Sequence, residues 1–132
     1  MIAQTWMDMG FIRLPLTLSL VVVVVLAVWS TSQLVRGDAS ADPSTKAWID
    51  AVLFWGVFAG VTGVLGTLVG IIVGAQAIEA AGEVSSALAW GGVKVALLSS
   101  VFGGLILGLA ALLWFALQLS WRLLAAESEA HA

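Results

Sequence analysis

The chain has no cysteine, no tyrosine, two prolines and one histidine among its 132 residues. Without cysteine it can form neither a disulfide nor a thiolate metal site. The histidine, His131, lies in the polar tail 127–132, so no ligand cluster for a metal ion is present in the sequence. Charge is also scarce: five Lys and Arg against eight Asp and Glu give a net −3, which does not support a nucleic-acid-binding surface. No nucleophile and base stand together, so neither an enzymatic site nor a cofactor is expected.

Apolar residues fill the chain instead, at 61% of its length and a mean hydropathy of +1.10. Three runs of about twenty apolar residues, each the length that crosses a bilayer, are too many for a water-soluble core of this size to hide. The expected fold is an all-α integral membrane protein, one membrane domain over 1–132 with transmembrane helices at about 13–35, 47–77 and 88–124. Arg13, the first apolar run and the later Ala39-Ser40-Ala41 follow the outline of a signal peptide. The run is too long for a signal core, so a retained span is expected.

The punctuation fits three spans. Pro15 falls in the first turn of span 1, where a missing N–H costs least. The linker 36–45, with Gly37, Asp38, Asp42 and Pro43, is polar and turn-rich. Span 2 exceeds the hydrocarbon layer, so its first two turns are expected to stand outside and keep Asp50 wet. A short connection with Glu79, Gly82 and Glu83 follows, and Ser85 or Ser86 can cap span 3.

Seven tryptophans cluster near the span ends, as in interfacial aromatic belts. Trp29, Trp48, Trp55, Trp114 and Trp121 fall on one side, and Trp6 and Trp90 on the other. Arg36, Lys46 and Arg122 share the first side, against Arg13 and Lys94 on the second. The positive-inside rule then places the N-terminus outside and the C-terminus in the cytoplasm. Lys94, one turn from Trp90, is expected to snorkel to the outer interface.

Small residues supply the clearest internal pattern. Span 2 carries Gly56, Gly60, Gly63, Thr67, Gly70 and Gly74, and span 3 carries Gly92, Ala96, Ser100, Gly104 and Gly108. Gly66 and Gly103 are further packing candidates. Steps of three or four residues predict one small face on each helix, and small faces in lipid let backbones approach closely. Span 1, mostly Leu and Val, has no such ladder and is expected to face lipid. One three-span monomer would leave much of both small faces uncovered, so a homo-oligomeric ring with span 1 outermost is expected.

Each ladder holds a hydroxyl near mid-depth. Thr67 lies about 18 Å along the helix from Trp55, and Ser100 about 21 Å from Trp114. Each hydroxyl can bond the carbonyl one turn back in its own helix, or the two can form a shared polar ring. Thr62 and Ser99 join them as candidate lining residues of a proton path.

At these residues the chain resembles the MotA/TolQ/ExbB proton-channel family. Gly63-Val-Leu-Gly-Thr67-Leu-Val-Gly70 looks like that family's Gly-Leu-Leu-Gly-Thr-Val-x-Gly signature. Gly92-Val-Lys-Val-Ala-Leu-Leu-Ser-Ser100-Val-Phe-Gly103 is similar to the family's last span, Gly-Ile-x-x-Ala-Leu-x-x-Thr-x-x-Gly. Gly10-Phe-Ile-Arg-Leu-Pro15-Leu-Thr-Leu-Ser19 resembles the family's entry to its first span, and the 33 residues between Thr67 and Ser100 are comparable to the spacing in the transport branch. The large cytoplasmic insertion of many members is absent. Gly60 and Leu109 stand where the family usually has proline, and Val95 beside Lys94 stands where transport members often carry a carboxylate.

The resemblance implies a subunit of a motor driven by proton motive force in the cell inner membrane, energising transport or mechanical work. It implies a pentameric ring around a dimer of single-span partner subunits, each with a membrane aspartate that Thr67 and Ser100 would hydrate or hydrogen-bond. Two alternatives stay open on the sequence. One is a non-conducting membrane scaffold, which uses the same small faces and accommodates Lys94; the other is a holin-like pore former.

Overall fold

The computed structural model describes residues 13–36, 43–83 and 85–131. They form three helices: α1 (Arg13–Val35), α2 (Pro43–Ala81) and α3 (Ser86–Ala130). Each is long and apolar enough to cross a membrane, which marks the chain as a membrane protein. Trp6, Gly10, the linker residues Gly37, Asp38 and Asp42, and the Ala39-Ser40-Ala41 triplet lie outside the described residues.

Local chemistry sets the helix ends. Pro43 opens α2 at a position where a fixed φ and a missing N–H are tolerated. α2 stops at Ala81 because Gly82 takes a left-handed φ of +76°, which glycine adopts without a Cβ penalty. Ser85 caps α3, its hydroxyl accepting from the Leu88 N–H at 3.4 Å. The helices run past the spans expected from hydropathy. α2 has 39 residues and α3 has 45, or about 58 and 67 Å against a hydrocarbon layer of about 30 Å. Polar residues such as Thr45, Lys46, Glu79 and the 127–130 stretch therefore continue the helices beyond the apolar windows. Hydropathy marks where a helix meets lipid and not where its hydrogen bonds stop.

α2 and α3 form an antiparallel hairpin, and α1 packs across both. The core joins Leu16, Val23 and Leu34 of α1 to Ile49, Val52 and Ala59 of α2 and to Ile106, Ala110 and Leu117 of α3. The outward surface is apolar as well: Val21, Val25, Leu68, Ile72, Leu105 and Leu112 are among its exposed residues. In water that exposure would be prohibitive, whereas a bilayer solvates it. The tryptophans divide by role. Trp29, Trp48 and Trp90 are exposed, while Trp55, Trp114 and Trp121 lean on the core.

The two small-residue ladders behave differently. On α2 the steps alternate four and three residues, averaging close to the helical 3.6, so Gly56, Gly63, Thr67 and Gly70 stay on the side facing α3. The expected ladder on α3 uses steps of four only, and each advances about 40° around the helix. It therefore does not hold to one face. Ala96 and Ser100 meet α2, whereas a Cβ at Gly92, Gly104 or Gly108 would meet nothing within 4 Å. Besides Ala96 and Ser100, the residues of α3 that meet α2 are Ser99, Gly103, Leu107 and Ala110.

Candidate functional site

The hairpin is closest at Gly63 and Gly103. A Cβ on Gly63 would lie 2.5 Å from the Ser99 carbonyl oxygen and 2.9 Å from the Gly103 Cα; one on Gly103 would lie 2.6 Å from the Ala59 carbonyl oxygen. Backbone therefore lies directly on backbone. Gly56 fits against Ala110, Gly60 against the Leu107 side chain and Gly70 against Ala96. Gly66 is buried, and Gly74 faces open space. The α2 ladder expected to make contacts between copies is thus largely engaged within one chain.

This close approach brings the two mid-span hydroxyls together. Thr67 Oγ1 and Ser100 Oγ are 2.7 Å apart. Thr67 Oγ1 also lies 2.9 Å from the Ala96 carbonyl oxygen across the hairpin and 3.3 Å from that of Gly63 in its own helix. Ser100 Oγ lies 3.4 Å from the Gly63 carbonyl oxygen. Other hydroxyls of the chain take the local option: Ser19 bonds Pro15 O, Thr31 bonds Ala27 O and Ser120 bonds Ala116 O, as hydroxyls in helices commonly do. Thr67 and Ser100 differ because their shortest contacts cross between helices.

Each hydroxyl has one proton, so the contacts to Ala96 O, to Gly63 O and within the pair compete, and two arrangements use the 2.7 Å contact between the hydroxyls. In the first, Thr67 donates to Ala96 O and Ser100 donates to Thr67, leaving Ser100 Oγ as an open acceptor. In the second, Thr67 donates to Ser100, and the Ser100 proton can go to the Gly63 carbonyl oxygen at 3.4 Å or turn outward. The pair can therefore present either an acceptor or a donor to a group beside Ser100. Thr67 is buried at 7% exposure, so that group can reach only Ser100, which is half-buried.

Access to Ser100 lies on the flank away from α1. Leu113, Leu117 and Ser120 of α3 line a hollow shared with Thr31 and Leu34 of α1, which fixes the α1 side. Gly104 precedes Leu113 by nine residues, about half a turn out of phase, and so faces the opposite way. It sits one turn from Ser100 with nothing over it. The other two hydroxyl candidates are placed elsewhere. Thr62 is half-buried and lies about 140° around α2 from Thr67. Ser99 is buried, with its carbonyl oxygen against Gly63.

A second polar contact went unforeseen by the sequence. The Trp114 indole N–H donates to Asp50 Oδ1 at 3.1 Å, fixing an exposed carboxylate of α2 to α3 at the α1–α2 end of the bundle. The signal available was depth, since both residues were placed near one interface. Lys94 is exposed on α3, one turn after Trp90. Comparison with protein families, curated proteins and solved structures finds no match to this chain.

Proposed function

We propose that this chain is the ring-forming subunit of a proton-driven membrane motor, coupling to a single-span partner that carries a membrane aspartate. The observation that carries this reading is the Thr67–Ser100 pair, held across the hairpin and open beside Gly104. A carboxyl group crossing a membrane needs a donor when charged and an acceptor when protonated, and the pair offers both. No carboxylate of α2 or α3 lies near mid-span, so the titrating group must come from the partner. The resemblance in the Gly63–Gly70 and Gly92–Gly103 stretches points the same way and supplies the expected assembly, five copies around a partner dimer. In that ring α1 is outermost, and the flank bearing Ser100, Gly104 and Gly108 lines the lumen. The chain sits in the cell inner membrane with its N-terminus outside and its C-terminus in the cytoplasm. The scaffold alternative has its own support in Lys94, the one charge on α3 between Ser86 and Trp121; it predicts assembly without flux.

Two measurements test the proposal. The stoichiometry of the purified complex should be a multimer of this chain with a co-purifying single-span protein, and Gly104→Leu should break it up. Because nothing in the protomer faces Gly104, helicity and hairpin stability should hold while the multimer dissociates. A stable monomer from the wild type, or an intact multimer in the variant, would remove the lumen-facing assignment. For orientation, single cysteines at Ser40 and Ser85 in this cysteine-free chain should label from opposite sides of sealed vesicles, Ser40 from the cytoplasmic side.

A further inference from the structure

Gln118 carries a buried acceptor with nothing to accept from. Its side chain is 9% exposed, and its Oε1 has no hydrogen-bond partner among the described residues. An unmet buried acceptor is costly, so it marks a place where a donor is expected. The other orphan of α3, the Trp121 indole N–H, is a donor but lies about 60° away around the helix, and the two do not bond.

Asp50 is the titratable group placed to supply that donor. With Gly56 against Ala110 and Gly70 against Ala96, the antiparallel register sets Asp50 level with Ala116, and Gln118 about 3 Å further along the axis. Gln118 follows Ser100 by about five whole turns, so it stands on the flank of α3 that bears Ser100, away from α1. Asp50 is exposed and points about 160° away from the core residue Val52. The Trp114 indole, one turn before Gln118, holds Asp50 to the seam by donating to Oδ1 at 3.1 Å. Two cations stand nearby, Lys46 one turn before Asp50 and Arg122 one turn after Gln118. Neither forms an ion pair with Asp50 among the described residues, and Lys46, though it has protons to give, does not bond Gln118 Oε1.

We propose that Asp50 is the group through which protons pass between the path beside Ser100 and the α1–α2 end of the protein; this rests on the proton-driven reading above. Its two neighbours fit the two states of the carboxyl. Charged, it accepts the Trp114 N–H; protonated, it donates its O–H to Gln118 Oε1. A proton arriving from the path forms that O–H, and release to water at the α1–α2 end breaks it and restores the carboxylate. Over the roughly 21 Å between Ser100 and Trp114, this flank has no other ionisable group: Gly104, Leu107 and Ala111 on α3 and Gly60, Val57 and Leu53 on α2 carry none.

The test has two arms. Difference infrared spectroscopy across a pH step, on the reconstituted full-length chain without partner, reads the acid C=O stretch of Asp50, identified by its loss in Asp50→Asn. Gln118→Met, which removes the acceptor and keeps the bulk, should move that band to higher frequency, and Lys46→Gln should leave it in place. The second arm is proton flux, normalised to complex assembled with the co-purifying single-span protein. Flux should fall about tenfold in Asp50→Asn, less than the usual weight of a positioned proton-transfer group because water also reaches this end, and return in Asp50→Glu. The asparagine oxygen still accepts from Trp114, so hairpin and ring should hold. A band unmoved by Gln118→Met overturns the pairing and the proposal with it. Wild-type flux in Asp50→Asn, where Ser100→Ala is impaired, overturns the transfer role and leaves the motor reading in place. A wild-type complex without flux removes both.

Discussion

Replacing Gly63 or Gly103 with valine is expected to destroy the α2–α3 hairpin. At Gly63 the added Cβ would lie 2.5 Å from a carbonyl oxygen and 2.9 Å from a Cα, both backbone atoms. A side chain in the way can change rotamer, but a helix backbone can only move as a whole. Ordinary overpacking costs about 1–3 kcal/mol, and these positions should fall at or above that upper figure because relief requires the helices to separate. Separation would also pull Thr67 from Ser100, one turn away, so the polar contact is lost with the packing. The other glycines rank by what they meet. Gly56 meets the Ala110 Cβ more closely still, and an alanine methyl has no rotamer to change, so it should rank with Gly63 and Gly103; Gly70, against the Ala96 methyl at 2.9 Å, should be intermediate, and Gly60, against the flexible end of Leu107 at 3.0 Å, milder. Gly74 and Gly104 should be close to neutral for the hairpin. Unfolding of each variant in one detergent, followed by circular dichroism, checks the order. Equal effects at Gly63 and Gly104 would contradict the crossing point.

That ranking also shows where the sequence was legible. Three helices could be read from apolar length, because a bilayer imposes about twenty residues on any helical span. The pairing of α2 with α3 was partly legible, since Gly56, Gly63 and Gly70 recur at the helical period and mark one face. The α3 face was not, because a run of four-residue steps looks like a stripe in the sequence yet winds around the helix. Leu107 contributes to the real face without being small, whereas Ala110 continues a small series with Ala96, Ser99 and Gly103 that the four-residue run overshadowed. The hydroxyl pair was approachable from depth alone: Thr67 and Ser100 lie at similar distances from tryptophans of the same expected interface. Whether they bonded locally or to each other depended on how near the helices come, which Gly63 and Gly103 decide jointly. The Asp50–Trp114 bond links residues far apart in sequence and follows from hairpin register, which no local pattern carries.

Removing the hydroxyls is expected to separate coupling from packing. Thr67→Val should weaken the hairpin by about 0.6–1.7 kcal/mol, the scale of hydrogen bonds between membrane helices, since Thr67 has acceptors at 2.9 and 2.7 Å across the interface. Ser100→Ala should cost less, because Thr67 can still donate to the Ala96 carbonyl. Neither change adds bulk at the crossing, so the ring should persist. Proton flux in the presence of the partner should respond more strongly and in the opposite order. Ser100 is the member a lumen carboxylate can reach, and a hydrogen bond to a charged group is worth about 1.5–3 kcal/mol, so its loss should slow flux on the order of ten- to a hundredfold. Ser100→Thr keeps the hydroxyl and should recover most of the flux, while Thr67→Val should give an intermediate loss by leaving Ser100 without its relay neighbour. A purely structural pair predicts the reverse: stability falls most at Thr67, and flux follows the amount of folded ring. Flux normalised to assembled complex distinguishes the two. If it stays at the wild-type value in the Thr67→Val, Ser100→Ala double variant, the pair is a clasp between helices and the chain is a scaffold.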